Sequence, residues 1–296
     1  MNDDFLFELV IILAFIAVIY YIYNFYTRTT GQEGFQQKER FILKENQDIY
    51  DDFYSEIYDE IMNPDIETNY NMDKVLKTLQ PSENHSNMLV LGSKTGSLVN
   101  YLHNKGFFAY GVEQSKPMIE YTQTKYENEL IIKNANIVNT ITYDSFLFSH
   151  IFCLHKNIYE YENLDIVLKN CHYWLKRNGY LVLHLVDPTK FNVTPPCGIS
   201  ELHHIGKRIT KTIVDFSDFV YKSEYENKDK ITIHKETFTD KITKNIRQNE
   251  QTLYMNDYES IINKCSQVGF ITKGYFTLEN GPSKDIHQRI YIFEKI

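Results

Sequence analysis

A chain of 296 residues, 43% hydrophobic and 15% aromatic, has ample material for one large core or two smaller ones. Its formal net charge of −8 argues against a nucleic-acid partner, which calls for a basic face. The four cysteines, Cys153, Cys171, Cys197 and Cys265, include no C-x-x-C pair. That spacing argues against zinc and dithiol centres and fits a reducing compartment.

The first element is apolar. Phe5 to Tyr26, FLFELVIILAFIAVIYYIYNFY, spans roughly 33 Å as a helix, enough for a bilayer core of about 30 Å. Asp3 and Asp4 stand where a cleaved leader would be basic, and Tyr20, Tyr21, Tyr23 and Tyr26 suit an interfacial belt. Arg28, Lys38, Arg40 and Lys44 follow the run and no basic residue precedes it, so the body is expected on the cytoplasmic side. Residues 1–28 are thus read as a transmembrane anchor and 29–47 as a polar linker containing GQEGFQQ. Residues 48–296 form the body.

The body opens with a tyrosine-rich helix, Asp48–Met62, with Tyr50, Tyr54, Ile57, Tyr58 and Ile61 on one face. A short helix follows over Met72–Leu79, and a break over Pro81–Asn87. Strands and helices then alternate: strand Met88–Leu91, helix Ser97–Asn104, strand Phe107–Val112, helix Pro117–Glu127 with Ser115 as N-cap, and strand Leu130–Lys133. Strand Ser149–Leu154, helix Leu164–Lys176, an Asn178-Gly179 turn and strand Tyr180–Val186 complete the series. This is the pattern of a parallel α/β sheet. Residues 208–253 alternate like antiparallel strands and read as a β insertion after the fifth strand. Asn256 is expected to cap a helix, Asp257–Gln267, before a hairpin of Phe270–Leu278 and Arg289–Glu294.

The first body strand runs into Gly92-Ser-Lys-Thr-Gly96. A P-loop requires G-x-x-x-x-G-K-[ST] and a dinucleotide loop G-x-G-x-x-G; neither is present. The next strand ends Gly111-Val-Glu113-Gln114-Ser115. An acid at the tip of the second parallel strand can accept both hydroxyls of a ribose.

With these motifs the chain resembles the class I S-adenosylmethionine-dependent methyltransferases, and less closely the methyltransferase-like proteins of large DNA viruses. The family's first strand ends D/E-x-G-x-G-x-G, where this chain has Val90-Leu-Gly92-Ser-Lys94-Thr-Gly96. Its second ends G-[VI]-[DE]-x-S-x-x-M, where this chain has Gly111-Val-Glu-Gln-Ser-Lys-Pro-Met118. The resemblance implies a Rossmann-like fold with a mostly parallel seven-stranded sheet and an antiparallel C-terminal hairpin. It implies S-adenosyl-L-methionine as cofactor, held by Gly92, Ser93, Thr95, Gly96, Glu113, Gln114 and Met118. Asn136 and Ile137 would lie by the adenine, with Leu154 and the helix tyrosines Tyr54 and Tyr58 closing the site. Val90 replaces the family's acid, and Lys94, where the family has glycine, adds a positive charge near a sulfonium unless its long chain points to solvent.

Methyl transfer needs alignment more than acid-base chemistry, but a base helps when the acceptor carries a proton. His155 and Tyr159, at the mouth of the fourth strand with Lys156 and Asn157, are the catalytic candidates. His203-His204 fall in a lid-like segment, and no metal-ligand set is found. The reading is a membrane-anchored methyltransferase of unknown acceptor with a cytoplasmic body. The alternative is a catalytically idle methyltransferase fold serving as a membrane or virion scaffold.

Overall fold

A computed structural model describes residues 12–21, 39–199, 209–228 and 231–296. The chain divides into two units, Met1–Glu39 and Arg40–Ile296. In the first, residues 12–21 form a helix, α1, with Ile12, Leu13, Phe15 and Ile16 exposed. About ten residues cover only ~15 Å, half a bilayer core. Among the described residues no helix is long and apolar enough to cross a membrane. The expected transmembrane span is therefore not supported. Its flanks at 5–11 and 22–26 lie outside the described residues, as do His203, His204 and much of the linker.

The second unit opens with β1 (Phe41–Glu45), a 3-10 turn at Asn46–Ile49, and two helices, α2 (Asp52–Met62) and α3 (Pro64–Leu79). Residues 41–47, counted with the linker from sequence, thus include a strand. Asp51 caps α2 by accepting the Tyr54 N–H. Asn63, at φ 41°, and Pro64 at the first position separate the helices. α3 begins eight residues before the expected Met72, because its buried Thr68 and Asn71 blur the apolar stripe on which the sequence reading relies.

The alternating series follows: β2 (Asn87–Leu91), α4 (Ser97–Asn104), β3 (Phe108–Glu113), α5 (Lys116–Lys125), β4 (Ile131–Asn134), β5 (Phe148–Cys153), α6 (Leu164–Trp174) and β6 (Leu175–Val186). The insertion supplies β7 (Lys211–Asp215), β8 (Phe219–Lys228), β9 (Ile231–Asp240) and β10 (Ile246–Leu253). The chain ends in α7 (Tyr258–Val268), β11 (Phe270–Leu278) and β12 (Asp285–Lys295). The N-cap of α7 is Asp257, which accepts the Ser260 N–H at 2.7 Å, and not Asn256. β6 starts five residues before the expected Tyr180, with Asn178 at φ 59° and a register shift opposite Phe148/His150 inside it.

The central sheet has seven strands in the order β11-β12-β6-β5-β2-β3-β4. β6, β5, β2, β3 and β4 are parallel, and β12 and β11 join antiparallel. Alternation along β2 divides the core: Leu89 and Leu91 face one cluster with Ile151 and Trp174, while Met88 and Val90 face another with Phe152, Leu98 and Met72. The strand order reverses between β2 and β5. A ligand crevice is expected there, outside the carboxyl ends of the strands. The insertion forms a second sheet, β1-β10-β9-β8-β7, antiparallel except that β1 lies parallel to β10.

Candidate active site

The glycine loop leaves β2 by a left-handed turn. Gly92 has φ 62° and Gly96 φ 79°, conformations that glycine adopts without cost. A β-carbon at Gly96 would collide with Thr122 Cγ2, and one at Gly92 would stand 2.9 Å from Asn157 Nδ2. That Asn157 amide donates to the Gly92 carbonyl at 2.8 Å, tying the loop after β2 to the loop after β5. Thr95 donates to Asp59 of α2 at 2.6 Å, and Ser97 to Asp65 of α3. The loop is bolted to the helices above it.

Glu113, buried at the tip of β3, accepts three backbone N–H groups: Lys94 at 2.9 Å, Gln114 at 2.8 Å and Ser115 at 2.9 Å. Ser115 caps α5 by accepting from the Met118 N–H and donates its hydroxyl to the Tyr50 carbonyl at 2.5 Å. Gln114 is exposed, whereas Met118 and Leu154 are core residues. Asn136 accepts the Val138 N–H in its own turn, and Ile137 is buried beside it.

The loop's Lys94 turns inward, contrary to the solvent-pointing alternative. It is a non-glycine residue at φ 48°, buried, with Nζ 3.1 Å from Glu160 Oε2 and 3.5 Å from the centre of the Tyr50 ring. Tyr50 donates its hydroxyl to the other Glu160 oxygen at 3.0 Å. Burial by itself lowers the Lys94 pKa, but the Glu160 and Glu113 carboxylates outweigh it and hold the ammonium above its ordinary value.

The two catalytic candidates are engaged elsewhere. Tyr159 is buried in the core, where its hydroxyl accepts the Val186 N–H at 2.9 Å and donates back to the Val186 carbonyl. Burial raises its pKa, so it is a structural strut and a poor base. His155, at φ 53°, points both ring nitrogens at α3: Nδ1 lies 3.4 Å from Glu67 and Nε2 3.3 Å from Thr68. Glu67 also lies 4.0 Å from the buried His184.

A cavity of about 80 Å³ separates this crevice from the insertion sheet. Tyr50, Tyr54, Tyr58, Phe191 and Tyr225 supply aromatic walls, and Glu236 of β9 a carboxylate. Glu236 is 3% exposed and accepts the Tyr221 hydroxyl at 2.8 Å and the Tyr54 hydroxyl at 3.0 Å. It forms no ion pair among the described residues. His234, also on the wall, stacks on Tyr225 at 4.3 Å and shares a 2.9 Å hydrogen bond between Nε2 and Ser223. Burial lowers its pKa, which disfavours the imidazolium.

Of the expected cofactor residues, Gly92, Ser93, Thr95, Leu154 and Tyr58 line the space at the loop, Tyr54 and Tyr58 line the neighbouring cavity, and Glu113 meets the loop through the Lys94 N–H. The sequence reading misses Glu160 and Glu236 and gives Tyr50 only a packing role. Glu236 had a signal, since it alternates with Phe238 and Asp240 on the buried face of β9. Glu160 had none, because its partner Lys94 is 66 residues away.

Residues 89–183 match the family model for a methyltransferase domain. Known structures share the fold. The CcbJ methyltransferase from Streptomyces caelestis aligns over 83% of this chain and 97% of its own, at 16% identity and a TM-score of 0.63. An S-adenosylmethionine-dependent methyltransferase from Clostridium acetobutylicum aligns over 82% and 97%, at 14% identity and 0.61. CalS10 from Micromonospora echinaspora, described as an amino pentose methyltransferase with bound SAM, aligns over 78% and 90%, at 14% identity and 0.53. No curated protein matches. The chain thus has the fold of these S-adenosylmethionine-dependent methyltransferases, and its residues 89–183 match a methyltransferase domain. None of these structures is described as viral.

The frame fits this cofactor. Glu113 uses three of a carboxylate's roughly four acceptor sites on backbone N–H groups, which leaves one at the β3 tip, where a ribose would lie. The space at the loop is only about 10 Å³, close to the room of one water, with Lys94, Tyr58, Leu154 and Asn157 among its walls.

Proposed function

We propose that the chain methylates an amine on a small molecule held in the cavity beneath the insertion sheet. The observation that carries this reading is Glu236, a buried carboxylate among aromatic rings that forms no ion pair among the described residues. Such a group favours an ammonium, through the charge and through the ring faces. The description of CalS10 as an amino pentose methyltransferase points the same way.

When bound, S-adenosylmethionine supplies an electrophilic methyl group on a sulfonium. Glu113 would hold the ribose and the Gly92–Gly96 loop the amino-acid part. Tyr54 and Tyr58 exclude water between the crevice and the cavity. Glu236 orients the acceptor as its ammonium, which must lose a proton before its lone pair can attack. His234 Nδ1, with no hydrogen bond among the described residues, is the atom available to take that proton.

The full chain, incubated with methyl-labelled S-adenosylmethionine and matched amino and hydroxyl sugars, should label only the amines. Glu236→Gln should raise the KM for the amine at least tenfold while leaving cofactor affinity unchanged. Transfer to hydroxyl acceptors alone would reverse the assignment of acceptor class.

The membrane anchor is part of the same proposal. The exposed apolar face of α1 and the basic residues from Arg28 to Lys44 support an N-terminal anchor with the body facing the cytosol, where S-adenosylmethionine is made. The second reading, a catalytically idle fold, draws its support from Lys94.

A further inference from the structure

Lys94 and Glu160 stand on the two loops that flank the reversal in strand order. Lys94 follows β2 and Glu160 follows β5, so their 3.1 Å ion pair crosses the crevice where a doubly wound sheet binds its ligand. The lysine is held at every part. Its N–H donates to Glu113, its carbonyl accepts from Thr122 at 3.1 Å, its stem is buried, and its ammonium lies over the Tyr50 ring. A carboxylate below and an aromatic face beside it make a site for a cation. The same cage would suit the positive charge of the cofactor. A lysine at φ 48° is also strained, and strain that persists is held in place by the structure around it.

We infer that Lys94 is the specificity-determining residue of the cofactor crevice, a tethered cation that occupies it and must swing out before S-adenosylmethionine can enter. The inference rests on the reading of this crevice as the cofactor's. Two consequences follow. Cofactor affinity is reduced by the fraction of molecules in which the lysine has left. The lysine's charge also penalises the sulfonium cofactor relative to its uncharged thioether product, S-adenosylhomocysteine, because a nearby positive charge acts against the more positive ligand.

The test is calorimetric titration of the full chain, as wild type, Lys94→Met and Lys94→Met/Glu160→Gln, with S-adenosylmethionine and with S-adenosylhomocysteine. Lys94→Met should bind S-adenosylmethionine at least tenfold more tightly than wild type. Its preference for S-adenosylmethionine over the thioether should rise severalfold. Lys94→Met leaves Glu160 buried without a partner and can fail to fold. The double variant removes both charges, keeps the opened space, and should also bind more tightly than wild type. Equal affinity in wild type and variants overturns the inference and leaves the cofactor reading intact. Absence of binding in all three overturns both.

Discussion

Glu113 accepts three backbone N–H groups in one buried carboxylate. These bonds order the glycine loop and the start of α5, and the proposed ribose role would add a fourth demand. Glu113→Ala should therefore weaken S-adenosylmethionine binding by about 1–3 kcal/mol and also lower stability, since it strips an acceptor from buried donors. Glu113→Gln keeps one oxygen, so it should recover part of the stability in a denaturant titration while cofactor affinity stays reduced. Recovery of both together would mean that the carboxylate acts only on the loop. Gly96 makes a second residue-scale demand. Gly96→Ala meets both an unfavourable φ of 79° and the Thr122 methyl, and should cost about 2 kcal/mol or more in chemical unfolding. Lys94 shows how far one position can be read from sequence. Its departure from glycine is visible there, and so is the charge. The direction of its side chain depends on Glu160 and Tyr50, which only the folded chain brings to it.

Strand β5 carries a polar group into the core. His150 is 5% exposed and stacks on Phe152 and Tyr180 at 6.3 and 5.6 Å, with Nε2 unpartnered. Burial pushes its pKa down to about 4 from an ordinary 6.5, and that of the fully buried His184 on β6 to about 3. The unfolded chain therefore takes up protons that the folded chain refuses as pH falls below about 6.5. Stability is full above that value and is lost progressively toward pH 4. His150→Phe should flatten this acid limb, and urea melts at pH 7 and pH 4.5 measure it. Equal slopes in both proteins would show that His150 is protonated in the fold. At this scale the sequence was most legible where signals are local. Apolar runs such as Met88–Leu91 and Ile151–Cys153 mark buried strands, and Gly92, Ser115 and Gly269 mark the ends of elements. The hairpin β11–β12 was legible for the same reason, whereas the seven-stranded sheet was implied by the family resemblance. β1 was not, because FILKE alternates on a half-exposed edge and its partner β10 lies some two hundred residues downstream. Glu236 was not singled out, because its role depends on tyrosines from α2 and β8.

The whole chain tests its own topology. Asn84-His-Ser and Asn192-Val-Thr are glycosylation acceptors, and Asn84 is exposed. Expressed in a eukaryotic cell, the chain should run at its unmodified mass, and its body should be digested by protease added outside sealed microsomes. Glycan on either asparagine, or a protected body, would place the domain away from its cofactor. The position of β1 matters in this setting. It begins one residue after the break between the two units and lies parallel to β10, from Phe41 opposite Ile246 to Glu45 opposite Glu250. β10 neighbours β9, the strand that carries Glu236. Arg247 of β10 clamps the start of α2 through Asp51 at 2.9 Å and the Ile49 carbonyl at 3.1 Å. A mechanical load on the N-terminus would thus be borne first by the β1–β10 ladder, in shear, and passed to the wall of the aromatic cavity before it reached the crevice of the central sheet. If the proposed anchor and acceptor site hold, tension along the chain would act on acceptor binding sooner than on cofactor binding.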